Sequence, residues 1–75
     1  MRSVRPRIQF NGSAVRLARI RAGLTQEALA RELNVTMRSV QFWEIDNVQP
    51  SAANLRRLCD VLGLVASELI DVEAA

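Results

Sequence analysis

Seventy-five residues make one domain at most, near the lower limit at which an apolar core holds a chain together, and leave no room for a separate catalytic domain. With 49% apolar and 24% charged residues the composition is that of a compact domain, while no His and a lone Cys59 exclude a zinc site and an internal disulfide. The net charge of +2 is unevenly spread: residues 1–24 carry six Arg and no acid, residues 25–75 four Arg against eight acids, so a polyanion is drawn to the N-terminal part unless that part is only a solubilising tail.

Residues 1–10 contain Pro6 and alternate polar with apolar from Arg5 onward, which predicts an extended N-terminal arm. Asn11 is a good N-cap for a first helix over 12–22, in which Val15, Ala18 and Ala22 share one face. Phe10 stands where it can staple onto Val15, and Gly23 closes the helix. Thr25 caps a second helix over 26–33 with Leu29, Ala30 and Leu33 inward and Glu27, Arg31 and Glu32 toward water; Asn34 ends it in a left-handed conformation. Only Asn34, Val35 and Thr36 precede a third helix over 37–45, capped by Thr36, with Val40 and Trp43 inward. So short a connection predicts two helices crossing steeply.

The loop from Asp46 to Pro50 leads to Ser51, the cap of a fourth helix in which Leu55, Leu58, Cys59 and Leu62 form the clearest apolar stripe of the chain. Cys59 lies within that stripe, as a core residue does, and Gly63 ends the helix. A short fifth helix over 66–72 is expected to contribute Leu69 and Ile70, with Val65 a poor cap. The expected architecture is all-α: an arm over 1–10, a compact domain over 11–72 and a tail over 73–75.

The run Arg19-Ile-Arg-Ala-Gly-Leu-Thr-Gln-Glu-Ala-Leu-Ala-Arg-Glu-Leu-Asn-Val-Thr, followed by Val40, Trp43-Glu44, Pro50-Ser51 and Leu55 to Gly63, resembles the phage repressor/Cro, or Xre-type, helix-turn-helix family. The resemblance covers about residues 10–70. It implies a five-helix repressor-like bundle in which helices 2 and 3 form the helix-turn-helix, helix 3 enters the major groove of duplex DNA, and dimers bind half-sites about one turn apart. It further implies an ion pair between Arg19 and Glu44 and a phosphate contact at Gln26. Three features depart from the family: Asp46 stands where glycine is usual, the loop 45–50 has no Lys or Arg, and Met37 and Phe42 are unusually apolar for base-reading positions.

With Val40 and Trp43 inward, Met37, Arg38, Gln41 and Phe42 face outward as candidate base readers. Arg38 has the fork that matches guanine O6 and N7, Gln41 the amide that pairs with adenine N6 and N7, and Met37 and Phe42 apolar groups for thymine methyls. Each has a plainer alternative, as surface charge, solvated helix residue or protein contact. Candidate phosphate ligands are Gln26 and Thr25 at the start of helix 2, Thr36 at the start of helix 3, and Arg2, Arg5 and Arg7 of the arm, for which a disordered basic tail is the alternative.

An enzyme is not expected: without His, Tyr or Lys, no neutral-pH base stands near Ser, Thr or Cys59, so catalytic residues, metal, cofactor and small-molecule substrate are all read as none. The longest apolar runs are too short to span a bilayer, and the expected location is cytoplasmic, on the nucleoid. The expected function is a transcriptional regulator, a phage or bacterial repressor that occludes a promoter by binding an operator as a homodimer. The competing reading is a protein-interaction module, or an antitoxin-like accessory factor, that uses the apolar surface of Met37, Phe42, Ile45 and Val48.

Overall fold

The computed structural model describes residues 7–73; Arg2 and Arg5 of the expected arm lie outside the described residues. In chain order the elements are β1 (Arg7–Phe10), α1 (Gly12–Arg21), α2 (Gln26–Leu33), α3 (Met37–Ile45), α4 (Ala52–Leu62), a 3-10 turn (Ala66–Leu69) and β2 (Ile70–Glu73). Each helix starts where a side-chain oxygen takes a free backbone N–H of the first turn. Asn11, Thr25, Thr36 and Ser51 accept from Ala14, Ala28, Ser39 and Asn54 respectively.

Three of the four helices end in one way. Gly23, Asn34 and Gly63 take positive φ, and the next residue, Leu24, Val35 or Leu64, donates its N–H back to Arg19, Ala30 or Cys59 and turns its apolar side chain onto the core. The pairs Gly-Leu, Asn-Val and Gly-Leu thus set where the chain turns and supply core contacts at the same points. Arg57 of α4 adds a tie by donating Nη1 to Leu33 O at 3.3 Å, which satisfies a carbonyl at the C-terminus of α2.

The core consists of Phe10, Val15, Leu29, Ala30, Leu33, Val40, Trp43, Leu58 and Leu69, with Ala14, Leu55, Cys59 and Leu62 packed against it. Phe10 and Val15 both lie in it, as the staple requires, whereas Ala22 falls beyond the last turn of α1 and is exposed. Truncating any of the fully buried Leu29, Leu33, Leu58 or Leu69 to Ala leaves a cavity of the kind that costs about 2–5 kcal/mol.

The expected fifth helix is not formed. Residues 66–69 make one 3-10 turn, and residues 70–73 are a strand paired antiparallel with β1, in the register Arg7 to Glu73, Ile8 to Val72, Gln9 to Asp71 and Phe10 to Ile70. Two causes act together. Val65 offers no oxygen to cap a helix, although its own N–H finds the Glu68 carboxylate at 3.3 Å. Ile70 and Val72 are β-branched and alternate with acids, which suits a strand, and a second extended segment is there to pair with them. Residues 7–10 are therefore joined to the domain by backbone pairing, which Asn11 N–H extends to Leu69 O at 2.8 Å.

Candidate nucleic-acid interface

The turn between α2 and α3 is tight because Asn34 sits at φ 54°, ψ 45°, and Val35 closes back onto Ala30 O at 3.0 Å. Ala30 is buried where the two helices approach, and its small side chain leaves room for that approach. α3 then turns Val40, Trp43 and Glu44 inward. Met37, Arg38 and Phe42 are left exposed, and Gln41 is half-buried beside them. All four candidate base readers therefore lie on the outward side of one helix, as the 3.6-residue period requires.

Two ties fix α3 to α1. In the first, Arg19 Nε donates to Glu44 Oε2 at 2.7 Å and Nη2 to Oε1 at 3.0 Å, with the Glu44 side chain fully buried and that of Arg19 only 11% exposed. Arg19 Nη1 also donates to Leu24 O at 2.9 Å, so the guanidinium is bonded along more than one edge. The hydrogen bond to Glu44 raises the Arg19 pKa above the ordinary arginine value, against burial, which lowers it; the charge of Glu44 raises it further. The pair expected between helix 1 and the end of helix 3 is present.

The second tie lies at the same, C-terminal end of α3. Gly12 N–H donates to Asn47 Oδ1 at 3.0 Å, and a Cβ at Gly12 would fall 2.0 Å from Trp43 O and 3.0 Å from Glu44 O. Only glycine admits so close an approach between the first turn of α1 and the last carbonyls of α3, where the positive end of one helix dipole meets the negative end of the other. Sequence reasoning placed the special backbone position of this loop at Asp46, in the family's glycine position. The structure moves it on by one: Asp46 has φ −96°, and Asn47 takes the left-handed conformation at φ 54°. Asn tolerates that region better than most residues and uses its amide to hold Gly12.

Gln26 starts α2 as expected, but its side chain makes contacts that the sequence did not foresee. Its Nε2 donates to Glu44 Oε1 at 3.3 Å, and its Oε1 accepts a long 3.5 Å contact from Gln41 Nε2. A chain of side chains therefore runs from the outward face of α3 through Gln26 to the buried ion pair. One Nε2 hydrogen of Gln26 is engaged with Glu44, so a second amide hydrogen and the backbone N–H, which at the first helical position has no acceptor within α2, remain to face an anion. Thr25 Oγ1 and Thr36 Oγ1 are engaged as caps at 3.0 and 3.1 Å, and both residues are exposed. Arg7 lies in β1, extended as expected of residues 1–10, but in a strand paired with β2 and not in an arm that stands apart from the domain.

Other chemistry finds little support among the described residues. Burial pushes the Cys59 thiol up, and Asp60 and Glu68 push it further, which moves it away from a reactive thiolate. Among the described residues no helix is long and apolar enough to cross a membrane.

A family model described as helix-turn-helix matches residues 15–69, most of the described chain and both helices of the motif. The chain belongs to the repressor/Cro, or Xre-type, helix-turn-helix family. No curated protein matches the chain. Among solved structures it is similar to the restriction-modification controller protein C.AhdI from Aeromonas hydrophila, at 28% identity and a TM-score of 0.68 over 76% of this chain and 86% of that one. By that membership α2 and α3 are the helix-turn-helix, and in this chain the Arg19–Glu44 pair and the Gly12–Asn47 contact tie its second helix to α1.

Proposed function

We propose that the chain is a sequence-specific DNA-binding transcriptional regulator that binds a palindromic operator as a homodimer and represses by occluding a promoter. The observation that carries this reading is α3 itself, which presents Arg38, Gln41, Met37 and Phe42 on one face while two ties to α1 hold its C-terminal end. A helix so held enters the major groove without having to be ordered by the DNA.

In this reading Arg38 donates to guanine O6 and N7, Gln41 pairs with adenine, and Met37 meets a thymine methyl, with Phe42 on the same face of the helix. The backbone N–H of Gln26 at the start of α2, with Thr25 and Thr36 nearby, takes phosphate oxygens, and Arg2, Arg5 and Arg7 add cationic contacts along the backbone. The Arg19–Glu44 pair touches no DNA and sets the tilt of the reader. Similarity to a restriction-modification controller supports regulation as the general role.

The apolar surface of Met37, Phe42, Ile45 and Val48, between 40% and 68% exposed, favours a second reading in which α3 holds a protein partner. Fluorescence anisotropy with duplex DNA at several salt concentrations separates the two. A regulator loses affinity along a straight line of log K against log salt, because binding releases counterions. Absent or salt-independent DNA binding hands this surface to a protein partner.

A further inference from the structure

Arg38 and Phe42 stand one turn apart on the exposed side of α3, and the Arg38 guanidinium carbon lies 5.3 Å from the centroid of the Phe42 ring. That separation is within the range at which a cation is drawn to the negative face of an aromatic ring. The ion pairs among the described residues are Arg19 with Glu44 and Arg31 with Glu27, and neither involves Arg38. Arg38 is also the one cation of α3. The group that restricts this long side chain is thus the ring below it. Phe42 is 40% exposed, more than a core aromatic would be, so the ring is open to a partner on the outer side of α3.

We infer that Phe42 is a positioning residue for Arg38: the ring holds the guanidinium in place before DNA arrives, and its contribution to recognition passes through Arg38 and not through a thymine methyl of its own. The inference rests on the proposed reading of α3 as the DNA-reading helix. Its physical basis is the rotamer freedom of arginine, which binding would otherwise have to remove and which is here already reduced in the free protein. Stacking also strengthens as the pair leaves water for the groove, so the effect grows on the complex.

The test combines a spectrum of the free protein with a binding cycle. In NMR spectra the δ-methylene protons of Arg38 are expected upfield of their ordinary position in the parent protein and in Phe42→Tyr, and at it in Phe42→Leu. In anisotropy titrations on a duplex selected by the parent protein, Phe42→Leu is expected to weaken binding roughly threefold to thirtyfold, the span from an exposed to a desolvated cation–π contact. Phe42→Tyr keeps the affinity, and in the Arg38→Ala background Phe42→Leu changes it less than about twofold. Absence of the upfield shift overturns the inference, as does a Phe42→Leu loss of equal size in both backgrounds, which marks an independent contact. A parent protein that prefers no sequence overturns the reading of α3 along with the role of Phe42, whereas an additive cycle in a protein that does prefer its selected duplex overturns the role of Phe42 alone.

Discussion

Glu44→Ala removes the carboxylate that the largely buried Arg19 guanidinium faces and leaves that charge with Leu24 O as its one remaining acceptor. An exposed pair would contribute about 0–1 kcal/mol, but the Glu44 side chain is 0% exposed and that of Arg19 11%, so the cost is that of an unpaired buried charge, about 3–5 kcal/mol. A domain of this size holds roughly 4–11 kcal/mol in all, and a loss near 3 kcal/mol lowers the midpoint of thermal unfolding by roughly 12–24 °C. The Arg19 pKa is raised, so its share of the stability is complete at every pH below the ordinary arginine range and disappears only above it; the arginine partner therefore adds no titration near neutrality. Urea unfolding of Glu44→Ala, Arg19→Ala and both together measures the coupling. The Arg19→Met, Glu44→Met double variant, which buries apolar groups of similar length, is expected to recover most of the loss. A cost under about 1 kcal/mol for Glu44→Ala, or effects that add to within about 0.5 kcal/mol, would refute the reasoning.

Gly12→Ala forces a Cβ onto Trp43 O and is expected to cost about 1–3 kcal/mol in urea unfolding; a change under about 0.5 kcal/mol contradicts the close approach. Arg38→Ala should lose about 1–3 kcal/mol on the preferred duplex and relax the choice of base at one position per half-site, while non-specific affinity changes little. Removing residues 1–6 takes away Arg2 and Arg5 but spares β1. It should weaken binding to all sequences and flatten the slope of log K against log salt by up to about 0.9 for each phosphate that the shortened chain no longer neutralises. Sedimentation should find mostly monomer at micromolar concentration and two protomers on each operator; one protomer at saturation would count against the dimer.

The four helices were legible because their signals are local. Thr25, Thr36 and Ser51 cap the segments they precede, Asn34 and Gly63 turn the chain left-handed after them, and the apolar spacing of 29, 30, 33 and of 55, 58, 59, 62 names their inner faces. The β-ribbon was not legible, because its two strands lie at opposite ends of the domain and neither stabilises itself. A signal was present: Ile70-Asp71-Val72-Glu73 alternates as Arg7-Ile8-Gln9-Phe10 does, but four residues of alternation also fit one turn of helix. At the site, the Arg19–Glu44 pair followed from the family resemblance. The Gly12–Asn47 contact and the Gln26 side-chain chain did not, since both depend on distances between helices that periodicity leaves unset. Gly12, directly after the cap of a helix, was the available hint of a close approach.

The most direct test of the account is selection of duplexes from a random pool with the purified protein, followed by anisotropy on the winner and on a shuffled control. The account predicts an enriched palindrome with half-site centres about 34 Å, one helical turn, apart, a guanine at the Arg38 position of each half-site, and tighter binding than to the control at physiological salt. A pool that stays random through repeated rounds, with equal affinity for winner and control, would contradict it.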